Sequence, residues 1–353
     1  MLFLALIACT GEDPADTSSP ADDTEASSTD DTETSSDDTG GDTSPAAPNT
    51  TYADFDDPTV AMAAAILDDH LYVFGGTTAP AHIEDAEVFV DETRRLDLRS
   101  ADATWEEISG SGIPTQQAQL FTHGGRLYRL GGLQATNASG EPADLWTLDD
   151  FAVYDVASDS WEALTPMPDT RGSMSLGIVD GVLHVMGGWK MEGGVDSWAY
   201  YETWLSVDLE ADELVWEEHE QPFKVRDHCG GEKDGKVYLI GGMLSGMFPD
   251  EPYVYDTATG TWGSGPELPI DHVYKAFGCA AAAVDGELYF SGFDGVVYRL
   301  SDDHSAWETV TTLDPARTFH ALPARSATEL VAVGGGTGTD VDAVATVESI
   351  SID

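Results

Sequence analysis

Short apolar runs that end in a glycine pair recur along the chain, with polar stretches between them. Leu71-Tyr72-Val73-Phe74 precedes the first pair, and runs of similar character precede the others. The six positions, with the fifth reduced to Ser-Gly, are Gly75-Gly76, Gly131-Gly132, Gly187-Gly188, Gly241-Gly242, Ser291-Gly292 and Gly334-Gly335. A period of about fifty residues indicates a repeat architecture, and it has to be recognised before any single motif is weighed.

Each repeat unit also contains a polar turn before the glycine pair and, in five of the six units, a tryptophan after it. The turns include Asp180-Gly181 and Asp234-Gly235, a dipeptide that tolerates the positive φ of a tight hairpin. The tryptophans are Trp105, Trp161, Trp216, Trp262 and Trp307. Each unit therefore predicts four short antiparallel strands, which is the composition of one propeller blade.

This pattern over residues 51–353 resembles the kelch repeat, in which a glycine pair ends the second strand and aromatic side chains pack between blades. The resemblance implies an all-β, six-bladed propeller. The sixth unit lacks a tryptophan and the chain stops at Asp353, where a third strand should finish. We expect the segment at Tyr52 to supply the missing outer strand of that blade, because such closure removes two exposed sheet edges.

The first fifty residues differ from the repeats. Leu6-Ile7-Ala8-Cys9 resembles a bacterial lipobox, which predicts a signal over residues 1–9 and lipidation of Cys9, although the apolar region is short and lacks a basic start. A chance cysteine behind an apolar stub is the alternative. Residues 10–50 contain acidic, Ser, Thr, Pro and Gly residues with no aromatic side chain, which predicts a disordered tether.

The charge balance excludes some partners. The chain carries 65 acidic and 15 basic side chains, a net charge of −50, and residues 51–353 keep all the basic ones. So negative a protein is not expected to bind nucleic acid or an anionic membrane surface. We expect a monomer in the bacterial cell envelope that meets the membrane only through a lipid anchor, as an outer-membrane lipoprotein.

Cys229 and Cys279 both precede a glycine-pair position by the same number of residues. They should therefore occupy equivalent sites on the innermost strands of neighbouring blades. An exported location permits a disulfide between them. Two separate buried thiols are the alternative, because innermost strands can lie too far apart for a bridge.

Basic residues open the innermost strands of four blades. They are Arg171, Arg226, Lys275 and Arg317. The fold of the hairpins predicts that they form an arc at one mouth of the central channel, where they could bind a carboxylate. In kelch repeats an arginine at this place often binds backbone carbonyls of the neighbouring blade, so a structural role is the alternative.

Aromatic and histidine side chains complete the candidate site. Trp189 and Trp198 could offer flat faces to a sugar, or the rings of this segment could simply pack a long loop onto the blade. His228 lies beside Arg226, but no His or Cys spacing supports a metal site, and no cofactor is expected. The sequence contains no nucleophile elbow and no phosphate loop.

These features favour a non-catalytic module that binds a protein or another ligand, with acidic glycans as the candidate ligand. The alternative is a sugar-processing enzyme similar to the kelch sialic acid epimerases, in which an arginine fixes the substrate carboxylate. In this chain Arg226 would take that role, with Asp227 or His228 moving the proton.

Overall fold

The computed structural model describes residues 51–79, 83–100 and 102–353. The predicted signal (1–9) and tether (10–50) lie outside the described residues. All regular structure in the described ranges is β-strand. The first fourteen strands are β1 (Ala63–Leu67), β2 (His70–Phe74), β3 (Thr93–Asp97), β4 (Glu106–Ile108), β5 (Gln119–His123), β6 (Arg126–Leu130), β7 (Leu133–Ala135), β8 (Leu145–Thr147), β9 (Phe151–Asp155), β10 (Ser160–Ala163), β11 (Ser175–Val179), β12 (Val182–Met186), β13 (Trp189–Gly193) and β14 (Trp198–Tyr200). The other fifteen are β15 (Thr203–Asp208), β16 (Glu217–Glu220), β17 (Cys229–Lys233), β18 (Lys236–Ile240), β19 (Tyr253–Asp256), β20 (Thr261–Ser264), β21 (Ala280–Val284), β22 (Glu287–Ser291), β23 (Val296–Leu300), β24 (Trp307–Thr312), β25 (Ala324–Ser326), β26 (Glu329–Val333), β27 (Gly336–Thr337), β28 (Asp342–Ala343) and β29 (Val347–Ser351).

The repeat units form antiparallel sheets of one pattern. Sheets 1 to 5 have four strands each: β1–β4, β5-β6-β9-β10, β11-β12-β15-β16, β17–β20 and β21–β24. Sheet 6 has the three strands β25, β26 and β29. A further sheet, the extension sheet, joins β7 and β8 to β13 and β14. It is built from the long connections that leave sheets 2 and 3 after their second strands.

Tight turns join the first and second strands of each sheet, as the sequence predicts. In sheet 3 the pair Val179 and Val182 brackets Asp180 and Gly181, whose φ values are 50° and 78°. Two successive positive φ values match the right-handed twist of the flanking strands. We call this end of the sheets the turn end, and the opposite end, where the second strands reach the glycine pairs, the glycine end.

The glycine pairs lie where each sheet meets the next one. A Cβ atom on Gly75, whose φ is +65°, would stand 2.2 Å from the carbonyl oxygen of Thr115, the residue that leads towards β5. The N–H of Gly76 donates to that same carbonyl at 2.8 Å. Equivalent bonds run from Gly132 to Arg171, Gly188 to Val225, Gly242 to Ala276 and Gly335 to Thr59. The repeat keeps glycine because neighbouring backbones approach too closely for a side chain.

The tryptophans link the outer edges of adjacent sheets. The indole Nε1 of Trp161 in sheet 2 donates to the carbonyl of Ser109, just after the outer strand of sheet 1, at 2.9 Å. Trp105 of sheet 1 makes the same kind of bond, at 2.9 Å, to the carbonyl of Ala53. Ala53 belongs to the segment that pairs with β29, through a bridge between Thr51 and Glu348.

The first strands of the sheets lie side by side. These inner strands are β1, β5, β11, β17, β21 and β25. Contacts join β1 to β5, β11 to β17, β17 to β21, β21 to β25 and β25 to β1. Between β5 and β11 the Nε2 of Gln119 donates to the carbonyl of Met174 at 2.9 Å.

The strand register corrects one expectation about sheet 5. Ser291 pairs with Ala280 as the last residue of its strand, as Ile240 pairs with Cys229 in sheet 4. Ser291 therefore replaces the last strand residue, not the first glycine. Cys229 and Cys279 are offset by one residue and are not at equivalent sites. The two cysteines looked equivalent because both precede a glycine-pair position by the same number of residues. The turns of sheets 4 and 5, however, are one residue further apart in the sequence than the two cysteines are.

Candidate functional site

A cavity of about 600 Å³ lies between the inner strands. Inner-strand residues of sheets 1 to 5 and the segment just before β25 line it, from Met62 and His320 near the glycine end to Asp180 and Glu232 near the turn end. A smaller space of about 100 Å³ adjoins it at the glycine end. Small side chains such as Ala64 keep the cavity open, because they leave the volume between neighbouring strands unfilled.

Residues with positive φ surround the glycine end of this cavity, one from each sheet. They are Ala61 (54°), Gln117 (57°), Ser173 (53°), Asp227 (52°), Gly278 (64°) and Phe319 (51°). Backbone N–H groups link these residues in turn, from Gln117 to Ala61, Ser173 to Gln117, Gly278 to Asp227, Phe319 to Gly278 and Ala61 to Phe319. Five of these six residues are not glycine, and a positive φ is uncommon for such residues. Residues held in sparsely populated backbone conformations cluster at functional sites, so this end of the cavity is a candidate site.

Side chains of this group form a polar network. Ser173 Oγ lies 2.6 Å from Gln117 Oε1 and 2.7 Å from Asp227 Oδ1. Trp189 Nε1 donates to the same Gln117 oxygen at 3.3 Å. The sequence analysis missed Gln117 and Ser173. Their signal was available, because Ala61, Gln117, Ser173 and Asp227 each stand the same number of residues before their glycine pair.

Arg226 joins this network. Its guanidinium ion-pairs with Asp227 and lies over the ring of Trp189, 4.3 Å from the centroid. Both charged side chains are buried. The negative face of the indole and the carboxylate together neutralise the cation. Arg226 is thus the one member of the predicted arc that lies in this network, and it is already paired there.

Arg171 and Arg317 are buried away from solvent. Arg171 Nη1 donates to the carbonyls of Gly187 and Thr203 at 2.9 and 2.8 Å, and its other nitrogens bind Asp169. Arg317 binds Glu348 at 2.6 Å and also Thr346. Both side chains are fully buried. Arg171 binds carbonyls of its own sheet, in contrast to the neighbouring-blade bonds that the structural alternative specified.

The fourth basic residue, Lys275, ion-pairs with Asp250 and is partly buried. The predicted arc of four free cations at an open channel mouth is therefore wrong, because each of the four is paired and none is exposed. Sequence reasoning grouped them because their distances to the glycine pairs are similar. A shift of one residue changes the direction of a side chain in extended backbone, and Arg171 and Arg226 differ by such a shift.

The two candidate tryptophans belong to the extension sheet. Trp189 is 3% exposed and packs with Leu133, Leu145 and Met191 in the core of that sheet. It is not a free platform, because the loops of sheets 2 and 3 pack against each other there. Trp198 is half-buried and makes an edge contact with Tyr200, with ring centroids 5.1 Å apart.

His228 and His320 line the cavity near its glycine end. Burial lowers the pKa of His228 to about 4, and burial together with Arg317 lowers that of His320 to about 3. Both rings are therefore neutral at pH 7. In the described ranges no group of three His, Cys, Asp or Glu side chains could hold a metal ion.

A disulfide joins Cys229 to Cys279, with Cα atoms 5.4 Å apart. It links β17 to the residue before β21 and borders the cavity. The two inner strands are close enough here for a bridge, because the Cα separation lies within the range that disulfides allow.

Large exposed apolar side chains concentrate at the glycine end. Within the described ranges they are Ile83, Ile113, Trp146, Val195, Met247 and Val273, all in connections at that end. Val156 and Val215 are the two at the turn end. In the part of the chain that the structure describes, no helix is long and apolar enough to cross a membrane.

Comparisons with known proteins agree with this architecture. The Kelch motif matches residues 226–269. The chain is 27% identical to the Kelch-like protein terF of Aspergillus terreus over 69% of its length and 51% of that protein. It is 23% identical to Kelch-like protein 35 of Mus musculus over 77% of its length and 39% of that protein. The chain thus spans about half or less of these relatives.

The solved structure of YjhT superposes with a TM-score of 0.65 at 17% identity, covering 84% of this chain and 95% of that one. At that identity the likeness concerns the fold alone. The motif and the relatives support a kelch-repeat family, and the all-β fold is consistent with a kelch β-propeller. Kelch-repeat proteins are generally protein-binding modules.

Proposed function

We propose that this chain is a non-catalytic protein-binding module on a closed six-bladed propeller, with its binding surface at the glycine end. The observation that carries the binding surface is the concentration of exposed apolar side chains there. Exposed apolar groups that cluster on one face of a protein mark interaction sites. Connections between strands also concentrate binding residues, because a rigid scaffold holds them in place.

Circular closure is supported by the contacts between sheet 6 and sheet 1, which repeat the contacts between the other neighbouring sheets. The bond from Gly335 to Thr59 repeats the one from Gly76 to Thr115. Trp105 binds Ala53 as Trp161 binds Ser109. In this proposal the segment at Tyr52 acts as the outer strand of the sixth blade.

A protein ligand is favoured over an acidic glycan. The guanidinium groups of Arg171, Arg226 and Arg317 are already bound to carbonyls, carboxylates or a ring. To bind a sugar carboxylate, they would first have to lose those partners, and each lost charge-assisted bond costs about 1.5–3 kcal/mol.

A photo-crosslinking amino acid at Met247 tests the binding surface, with Val215 as the matched control. The two side chains are 64% and 62% exposed and lie at opposite ends. In cells of the source organism we expect a protein adduct at Met247 and none at Val215. Met247→Asp should then weaken binding of the captured protein at least tenfold, while Val215→Asp leaves it unchanged. Equal adducts at the two positions would refute the proposed surface.

The sugar-processing alternative is tested separately. Purified protein would be mixed with sialic acid and other acidic sugars, and epimers and anomers would be followed by NMR. We expect no turnover, because the carboxylate of Asp227 is engaged by Arg226 and Ser173. Turnover that Arg226→Ala abolishes would establish the enzyme instead.

The proposal also places the module on the bacterial cell envelope, through a lipid on Cys9 and the acidic tether 10–50. The support is the sequence Leu6-Ile7-Ala8-Cys9 followed by polar residues. Stable anchoring requires more than one acyl chain. Metabolic labelling with an alkyne fatty acid should mark the full chain and not Cys9→Ser. Equal labelling of both would contradict the anchor.

A further inference from the structure

Part of the proposed binding surface consists of aromatic rings that form one contiguous group in the connections of sheets 4 and 5. We call this group the aromatic surface, and its rings are Phe248, His272, Tyr274 and Phe293. Phe248 contacts Tyr274 with ring centroids 5.4 Å apart, and Phe293 stacks on His272 at 4.5 Å. All four residues are half-buried, so a part of each remains within reach of a ligand.

Two strongly exposed apolar side chains adjoin these rings. Val273 is 70% exposed and lies between two of the rings in the chain, and Met247 is 64% exposed and directly precedes another. Backbone hydrogen bonds hold the turn that carries Val273, from the N–H of Lys275 to the carbonyl of His272 and from the N–H of Phe293 to the carbonyl of Lys275, both at 3.0 Å. Apolar side chains that a fixed backbone keeps in water gain free energy when a partner covers them.

The charges around the aromatic surface are negative. Asp271 and Glu251 are exposed, and the neighbouring Lys275 is already paired with Asp250. The same holds for the glycine end as a whole, because every lysine and arginine in its described connections belongs to an ion pair. These residues are Arg171, Lys190, Lys224, Arg226, Lys275 and Arg317. The surface therefore offers carboxylates to a ligand, whereas its cations are already engaged.

These charges decide which occupant fits the aromatic surface. A second copy of this chain would bring its own net charge of −50 and would be repelled, and an acidic peptide would be repelled in the same way. A basic segment is attracted instead, because complementary charge steers binding and suppresses wrong partners. Its arginine side chains can also lie over aromatic rings, which attract cations.

We propose that the aromatic surface binds a basic segment of a partner protein, in which apolar residues stand between arginine or lysine residues. The apolar residues of that segment cover Val273 and Met247. Its cations meet the carboxylates of Asp271 and Glu251 and lie over the rings. This inference rests on the proposed protein-binding surface and adds the chemical class of the partner.

Fluorescence anisotropy of three labelled short peptides, titrated with the full chain, tests this inference. In the first peptide arginine alternates with leucine, in the second glutamate alternates with leucine, and in the third arginine alternates with serine. We expect the arginine–leucine peptide to bind at least tenfold more tightly than either of the others, because it alone combines positive charge with apolar side chains. The arginine–serine peptide measures the diffuse attraction of any cation to so negative a protein.

Variants of the full chain locate the binding of the arginine–leucine peptide. Val273→Ser should weaken it about tenfold, because an apolar contact is lost, and Asp271→Asn about threefold, because an exposed ion pair contributes less. Val215→Ser and Asp212→Asn are the matched controls, since Val215 is 62% exposed and Asp212 is also exposed, both at the turn end. Both controls should bind the peptide as the parent does.

Three results would overturn the inference. Equal affinity for the arginine–leucine and arginine–serine peptides would reduce the binding to diffuse attraction. Equal affinity for the glutamate–leucine peptide would show that charge does not select the partner. Equal effects of Val273→Ser and Val215→Ser would show that the peptide binds elsewhere. A protein adduct at Met247 alongside any of these results would leave the proposed binding surface in place and remove only the basic class of partner.

Discussion

The two ends of the sheets use the same repeat in different ways. At the glycine end neighbouring backbones touch, and the charged side chains there are paired: Arg226 with Asp227, Arg317 with Glu348. At the turn end the hairpins extend freely, and acids such as Asp180 and Asp285 face solvent. The difference shows that the recurring glycine pairs and tryptophans mark the places where neighbouring sheets are held together. The groups free to meet a ligand are those that the repeat does not require.

Removing a buried cation at the glycine end should have the largest effect on stability. Arg317→Ala removes one member of the buried Arg317–Glu348 ion pair, and breaking a buried pair costs about 3–5 kcal/mol. Arg299→Ala breaks the exposed pair with Glu308 and should cost under about 1 kcal/mol. Urea unfolding of both variants measures the difference. Equal costs would remove the distinction between buried and exposed ion pairs.

Much of the fold followed from the sequence, whereas the roles of particular side chains did not. Glycine pairs, turns and tryptophans recur because they meet the same backbone in every sheet, so their spacing predicts four-stranded units. The partners of Arg171 depend on the local register and on Thr203, which lies far along the chain. The extension sheet depends on contacts between two different loops. Such contacts leave no periodic signal.

A glycine-to-alanine substitution should also destabilise the glycine end more than the turn end, by a difference almost as large. Gly75 and Gly125 have similar φ values of +65° and +70°, so alanine is strained to a similar degree at both. At Gly75 the new Cβ would also meet the Thr115 carbonyl oxygen, whereas at Gly125 nothing lies within 4 Å. We expect Gly75→Ala to cost about 3 kcal/mol or more and Gly125→Ala about 1–2 kcal/mol. Equal melting temperatures for the two variants would mean that the sheets can move apart at the glycine end.

The smallest expected effect is a pH dependence of opposite sign at the two ends of the cavity. His320 has a folded pKa of about 3, mainly because of burial, against an ordinary value of 6.5. Between those values the unfolded chain binds a proton that the folded chain does not, so stability falls as the pH falls below about 6.5. His320→Gln should reduce that loss by up to about 1.4 kcal/mol per pH unit.

Glu232 should act in the other direction. Burial and neighbouring acids raise its pKa above the ordinary 4.5, so the folded chain binds a proton before the unfolded chain does, and this stabilises the fold on acidification. Glu232→Gln removes that gain and should steepen the loss of stability as the pH falls from neutrality towards 4.5. Urea midpoints across this range, measured for the parent and both variants, give the two slopes. If both substitutions changed the slope in the same direction, the neutral histidines and the crowded carboxylates would not be the groups that distinguish the two ends.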